Sequence, residues 1–294
     1  MNTNKPRMLV VGARGFLGAH LARASAGSFE VWKGEREAAA RPGLVVIDIT
    51  DVASVNAAFD LARPDVVLLL AAISDIDRCE VERDTALAVN VRGAENVANA
   101  CARVGAKLMF TSSAAIFDGT KHGYIEDDPA NPVSFYGETK VRAEAAVLSA
   151  VPSAIILRIA LAIGFAAMSG TASILDKLAR LWAEGSAVEF PAFEYRNPID
   201  PESLSVFTVQ LINRGASGVF HIGSSDVITR FELGLNLAQR MGYSWLALPQ
   251  AEAQKGRAPR GPHHFLLTKK IETFCSMPVP SSEQVIARCF DGAA

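Results

Sequence analysis

Tyr136 and Lys140 stand four residues apart in Tyr136-Gly137-Glu138-Thr139-Lys140, a stretch that reads as the opening of a helix. At that spacing both side chains leave one face. A free phenol titrates at about 10, and a neighbouring ammonium together with an oxidised nicotinamide ring favours the phenolate, drawing the group toward acid/base range. Tyr136 would protonate a carbonyl oxygen as hydride arrives at the carbon, and Lys140 would also bond the nicotinamide ribose. A further hydroxyl is needed at a strand end, and Thr111-Ser112-Ser113 closes an apolar run. Ser113 is the candidate that polarises the substrate oxygen, because open α/β sheets place ligands at strand C-termini. Taken alone, the Tyr–Lys pair is equally compatible with an ordinary pair on a helix surface.

The second constellation is Gly12-Ala13-Arg14-Gly15-Phe16-Leu17-Gly18, which follows the first apolar run and opens an amphipathic helix. Glycines there permit a tight turn and close approach of backbone to a pyrophosphate, and the helix N-terminus offers N–H groups and partial positive charge. A tight turn without a ligand is the competing reading. The end of the second run, Val31-Trp32-Lys33-Gly34-Glu35-Arg36, carries mixed signals for the adenine ribose. An acid such as Glu35 suits a 2′-hydroxyl and NAD, whereas Lys33, Arg36 and the loop's Arg14 suit a 2′-phosphate. The balance tilts to NADP, with NAD the alternative. In Val46-Ile47-Asp48-Ile49, Asp48 is placed to accept from an adenine amino group, or else to cap the next helix, as Thr50 or Asp51 also could.

These groups need a scaffold that brings strand ends to one crevice. Short apolar runs at Met8–Val11, Phe29–Trp32, Leu44–Ile47, Val66–Ala71, Lys107–Thr111 and Ala154–Ile159 alternate with helical stretches such as Asp51–Ala62 and Asp84–Val104. Apolar on both faces, they read as strands buried between helix layers. The class is therefore α/β, a Rossmann-type doubly wound parallel sheet with a smaller C-terminal substrate lobe. The expected division is residues 7–164 for the dinucleotide and 165–294 for the lobe, with the chain free to cross back. The lobe reads as helices at Thr171–Gly185, Ser203–Arg214 and Arg230–Met241 and a strand at Gly218–Ile222, and residues 1–6 as a short disordered tail.

The chain has 294 residues and a formal net charge of −2, with 50% hydrophobic residues, which suits a globular enzyme and gives no basic footprint for nucleic acid. The longest apolar run, Val66–Ile73, is far short of the roughly 20 residues a bilayer crossing needs. No membrane partner and a cytoplasmic location are the expectations. Cys79, Cys101, Cys275 and Cys289 are scattered without a CxxC pair, so neither a metal site nor a disulfide framework is expected. Self-association as a homodimer is compatible with this reading.

With the glycine loop, Ser113, Tyr136 and Lys140 in that order, the chain resembles the extended short-chain dehydrogenase/reductase superfamily, and within it the dTDP-4-dehydrorhamnose reductase branch. The likeness extends to Leu70-Ala71-Ala72-Ile73, Glu80-Val81-Glu82, Ala88-Val89-Asn90-Val91, Phe117-Asp118-Gly119 and Glu126-Asp127-Asp128-Pro129. It implies that Ala71 and Ala72 line the cofactor, and that Asn90 supports the fourth-strand region. Arg196-Asn197-Pro198-Ile199-Asp200 and Arg260-Gly261-Pro262 resemble substrate-side segments, which makes Arg196 a candidate substrate contact. Two departures fall on the substrate side: Ala114-Ala115 replaces an Asp-Tyr pair, and Leu161 replaces an aromatic residue. Ala114 and Leu161 are thus candidate substrate neighbours in a pocket not shaped for the family's own deoxysugar.

His221, in an apolar strand, reads as a buried, hydrogen-bonded histidine, and Trp182 and Trp245 as core or interface residues. His263-His264 are candidates for a nucleotide contact, and Phe193 and Tyr195 for stacking. The resulting expectation is an NAD(P)-dependent reductase of a carbonyl on a sugar-like, nucleotide-linked substrate. The alternatives are a nucleotide-sugar epimerase with retained NAD and a non-catalytic NADP-binding regulatory subunit.

Overall fold

Alternation along the first strand sets the architecture. In β1 (Arg7–Val11), Leu9 and Val11 point into one apolar layer, and Met8 and Val10 into the other. Such a strand is stable only with helices on both faces. The computed structural model describes residues 5–37, 42–168, 171, 173–253 and 256–291. Residues 1–4 of the expected tail lie outside this set.

Six further strands share the pattern: β2 (Glu30–Glu35), β3 (Leu44–Val46), β4 (Val66–Leu69), β5 (Lys107–Ser113), β6 (Ile155–Ile159) and β7 (Gly218–Ile222). They form a seven-stranded parallel sheet in the order β7-β6-β5-β4-β1-β2-β3. The doubly wound expectation is met. The order reverses between β1 and β4, where diverging connections open the crevice in which such sheets bind ligands.

One face of the sheet is covered by α2 (Val52–Ala62), α4 (Gly93–Val104) and α5 (Phe135–Ala150), through residues such as Phe59, Val97 and Val147; α3 (Ile76–Val81) precedes α4 in the chain. The other face is covered by α1 (Phe16–Ser25), α7 (Pro201–Asn213) and α9 (Lys269–Cys275), through Leu21, Phe207 and Ile271. A separate core around Trp182, Phe190, Leu237 and Val285 joins α6 (Ile174–Ala183), α8 (Arg230–Arg240) and α10 (Ser282–Asp291). The chain does cross back: β7 is an edge strand of the main sheet, and α7 and α9 pack on it.

The expected helix Asp84–Val104 is interrupted. A turn at Arg83–Ala86 leads into a π-helical stretch, Leu87–Arg92, before α4 begins. Asn90 lies in that stretch and is 2% exposed. Its Oδ1 accepts from the Ile73 N–H at 2.8 Å, and its Nδ2 donates to the Ile73 carbonyl at 3.0 Å and to Thr139 Oγ1 at 3.1 Å. A buried amide with three good bonds accounts for the extra residue in the helical turn. It ties the segment after β4 to α5. All four cysteines are buried free thiols, and among the described residues no group of three or more ligating side chains is placed to hold a metal. No helix among them is long and apolar enough to cross a membrane.

Candidate active site

The glycine loop lies at the crevice with little room to spare. Gly12 has φ +90°, and a Cβ on it would meet the Ala71 amide nitrogen at 2.8 Å; a Cβ on Gly18 would meet the Gly12 carbonyl at 2.1 Å. Side chains there would push α1 off the loop. At Gly15 a Cβ would meet nothing closer than the loop's own Gly12 carbonyl, at 3.2 Å, so the loop's outer face is open. Two adjoining cavities of about 920 and about 450 Å3 share Gly12, Gly15, Leu70 and Ala72. The larger runs over Arg14, Arg36, Asp48, Ile49 and Ala71; the smaller holds Phe16, Leu17 and Gly18 together with Ser113, Tyr136 and Lys140. An open glycine cradle at the N-terminus of α1, continuous with a long cleft, fits a dinucleotide diphosphate.

At the adenosine end, Glu35 is buried and its carboxylate lies 4.0 Å from the exposed Arg14 guanidinium. Arg36 follows it on the cavity wall, whereas Lys33 is not on that wall. Asp48 does not cap α2: Asp51 does, accepting from the Ala53 N–H at 2.9 Å. Asp48 Oδ1 takes the Thr50 N–H at 2.9 Å and the Thr50 hydroxyl at 2.7 Å, bonds that hold its carboxyl below its usual range.

At the other end, Tyr136 and Lys140 occupy the first two turns of α5. Ser134 caps the helix by accepting from the Gly137 N–H at 3.2 Å, and the Phe135 N–H reaches the Glu80 carboxylate at 2.7 Å. Gly137 lets the helix sit close: a Cβ there would meet the Ala115 carbonyl at 2.1 Å. Ser113 Oγ accepts from the Ala115 N–H at 3.1 Å, and Ser113 and the Tyr136 phenol line the same cleft.

The electrostatics differ from the sequence expectation. Burial pushes the Tyr136 phenol up to about 12, against a smaller downward pull from the Ser113 hydroxyl. Lys140 does not offset this; its ammonium donates to the Thr111 carbonyl at 2.7 Å and lies 4.2 Å over the Phe110 ring. Burial lowers Lys140 to about 8, and Glu144 opposes that shift. At neutral pH the phenol is protonated and the ammonium mostly charged, a state suited to giving a proton away.

Among the expected substrate contacts, Leu161 lines the cleft beside Ser113. Ala114 does not. It is fully buried against Ile116, Phe117, Tyr124 and Leu266, because the 3-10 turn Ala114–Ile116 directs it into a satellite core and leaves Ala115 to face the cleft. Arg196 is on the wall, but its donors are taken: Glu194 at 3.0 Å, and the carbonyls of Tyr195 at 2.7, Pro262 at 3.0 and Gly261 at 3.2 Å. It pins the late loop. Arg260 forks onto Asp77 at 2.8 and 3.2 Å, across the cleft mouth from α3, and holds that carboxyl down at about 2.

Sequence reasoning missed Arg230. It opens α8 and faces the cleft, and among the described residues no carboxylate lies within 4.0 Å of it. Its signal, an Arg directly after a Thr helix cap, is too common to single out. His221 is buried as expected, and His264 lines the cleft with Nε2 on the Phe117 carbonyl at 3.1 Å. Tyr195 stacks on His263 at 4.7 Å, away from the lining. Trp182 is core, whereas Trp245 is 68% exposed.

A doubly wound sheet with this loop at its switch point, and this helix face across from it, defines an extended short-chain dehydrogenase/reductase. Residues 6–294 match the family described as RmlD substrate binding domain, and the chain belongs to that family. It is 27% identical over 272 residues to methionine adenosyltransferase 2 subunit beta of Xenopus tropicalis, covering 90% of this chain and 81% of that protein. It is 30% identical over 278 residues to dTDP-4-dehydrorhamnose reductase of Mycobacterium tuberculosis, covering 90% and 86%. The crystal structure of dTDP-4-dehydrorhamnose reductase from Bacillus anthracis in complex with NADP superposes with a TM-score of 0.88 at 25% identity, covering 99% of both chains.

Proposed function

We propose that the protein is an NAD(P)H-dependent reductase that converts a ketone on a nucleotide-linked sugar into the alcohol, with NADPH the preferred cofactor. One observation carries the reading: a protonated phenol, beside Ser113 and one helical turn from a buried ammonium, faces the same cleft as the open glycine cradle. In this reading residues 7–164 carry the dinucleotide, and the elements of 165–294 outside the main sheet carry the substrate.

When bound, the reduced dinucleotide supplies the hydride. Ser113 and Tyr136 hold the ketone oxygen by two hydrogen bonds, and Tyr136 passes its proton to that oxygen as negative charge develops. The phenolate left behind is stabilised by the Ser113 hydroxyl and the Lys140 charge, and is reprotonated from water. A protonated phenol favours reduction over the opening oxidation that an epimerase requires.

Arg230 gives the substrate half of the cleft a cation suited to a diphosphate, beside Arg196 and Arg260, which are paired with Glu194 and Asp77. The small aliphatic wall of Ala115, Leu161 and Val133 faces the sugar. The test is Tyr136→Phe assayed with NADPH and a panel of nucleotide-linked 4-ketosugars. Turnover is expected to fall by at least about 100-fold, with NADPH binding retained. A fully active Phe variant sinks the reading.

A further inference from the structure

The face of α5 that carries Tyr136 and Lys140 has a third polar member at the same spacing. Glu144 follows Lys140 by one more turn and is 7% exposed. Two of the three are hydrogen-bonded to the end of β5: Lys140 donates to the Thr111 carbonyl at 2.7 Å, and Glu144 Oε1 accepts the Ser112 hydroxyl, while Tyr136 lines the cleft with Ser113, the next residue of the strand. The helix is thereby buttoned to the catalytic strand end at two points.

Glu144 is itself held from the next strand. Arg158 of β6 is the lateral partner of Ser112 in the sheet, and its guanidinium forks onto Glu144, with Nε on Oε1 at 3.0 Å and Nη2 on Oε2 at 2.8 Å. Its Nη1 reaches the Glu126 carbonyl at 3.0 Å and lies 3.3 Å from His221 Nε2 in β7. Burial and the Arg158 charge keep His221 neutral, at about 3. The Glu126 carboxylate takes the His221 backbone N–H at 3.0 Å. The charge facing Lys140 is thus Glu144, itself paired with Arg158. Cys79 of α3, a thiol kept protonated by burial, also acts on Lys140. Asp128 acts on His221 from the loop beyond.

We infer that Glu144 is a positioning residue: it locks the Ser112-Ser113 strand end against α5, so that the Ser113 and Tyr136 hydroxyls stay aimed at one oxygen. A buried ion pair seldom adds net stability over an apolar replacement, so a role in geometry is the better account of its presence. The inference rests on the reductase reading only for its kinetic readout; dinucleotide binding and unfolding are measured without turnover.

The test uses the full chain. Ser112→Ala removes the strand button and leaves the ion pair whole. It is expected to lower kcat by roughly fivefold to tenfold, with the NADPH dissociation constant held within about twofold, because misaimed groups lose rate before they lose affinity. Ser112→Thr, which restores the hydroxyl, is expected to recover kcat. The double variant Glu144→Gln/Arg158→Gln avoids a stranded charge. It is expected to lower kcat by a similar factor, with the NADPH dissociation constant again held within about twofold.

A wild-type kcat in Ser112→Ala, or in a folded double variant, overturns the positioning role. Should the double variant fail to fold, the Ser112 pair of variants decides. An active Tyr136→Phe removes the reductase reading instead, so the two failures are distinguishable.

Discussion

Replacing Lys140 by Met tests the site electrostatics through stability alone. The ammonium is 2% exposed, and burial depresses it from 10.5 to about 8. A lysine with a depressed folded-state value is charged in the unfolded chain at a pH where the folded chain has begun to release its proton. The unfolded state therefore binds more protons between the two values, and folding stability rises with pH across that window. Below about 8 the folded protein bears the full cost of a buried charge, about 3 kcal/mol for a displacement of this size. By pH 10 most of it is gone.

Met at the same position carries no such cost, but deprives the Thr111 carbonyl of its donor, a loss of about 1–3 kcal/mol that does not vary with pH. Differencing two pH values cancels that constant. Wild type is expected to gain about 2–3 kcal/mol on Lys140→Met between pH 7 and pH 10. Urea unfolding of both proteins without dinucleotide, at four pH values across the range, measures the gain. A difference that stays flat, or that moves against wild type as pH rises, refutes the reasoning.

Other outcomes follow from the same geometry. Arg36→Ala and Arg14→Ala are each expected to raise the dissociation constant of NADPH about tenfold and leave that of NADH nearly unchanged, as checked by titration with both dinucleotides. Arg230→Ala is expected to raise KM for the nucleotide-linked substrate by about 10- to 100-fold with a small change in kcat, since it removes a contact made equally before and during reaction; steady-state kinetics decides. Ser134→Ala removes the cap of α5 and is expected to cost about 1 kcal/mol in a urea titration. In wild type, kcat is expected to fall as pH rises through about 8, where Lys140 loses its proton; a plateau to pH 10 contradicts that assignment.

What could be read from the sequence was whatever a local period dictates. Strands apolar on both faces, the glycine turn opening α1, and the four-residue spacing of Tyr136 and Lys140 depend on backbone geometry within one element, and each lies where its spacing places it. Long-range neighbours decided the rest. Ala114 and Ala115 are identical in type, and a 3-10 turn sends the first into a satellite core and leaves the second on the cleft wall. Arg196 and Arg230 look alike as letters, yet Glu194 and three carbonyls engage the first guanidinium while the second faces the cleft. The π-helical stretch exists because Asn90 reaches Ile73 and Thr139. Periodicity determines which way a side chain leaves its own helix or strand, whereas the partner of a charge or hydroxyl is supplied by segments distant in the chain, and only the folded structure brings them within a hydrogen bond's reach.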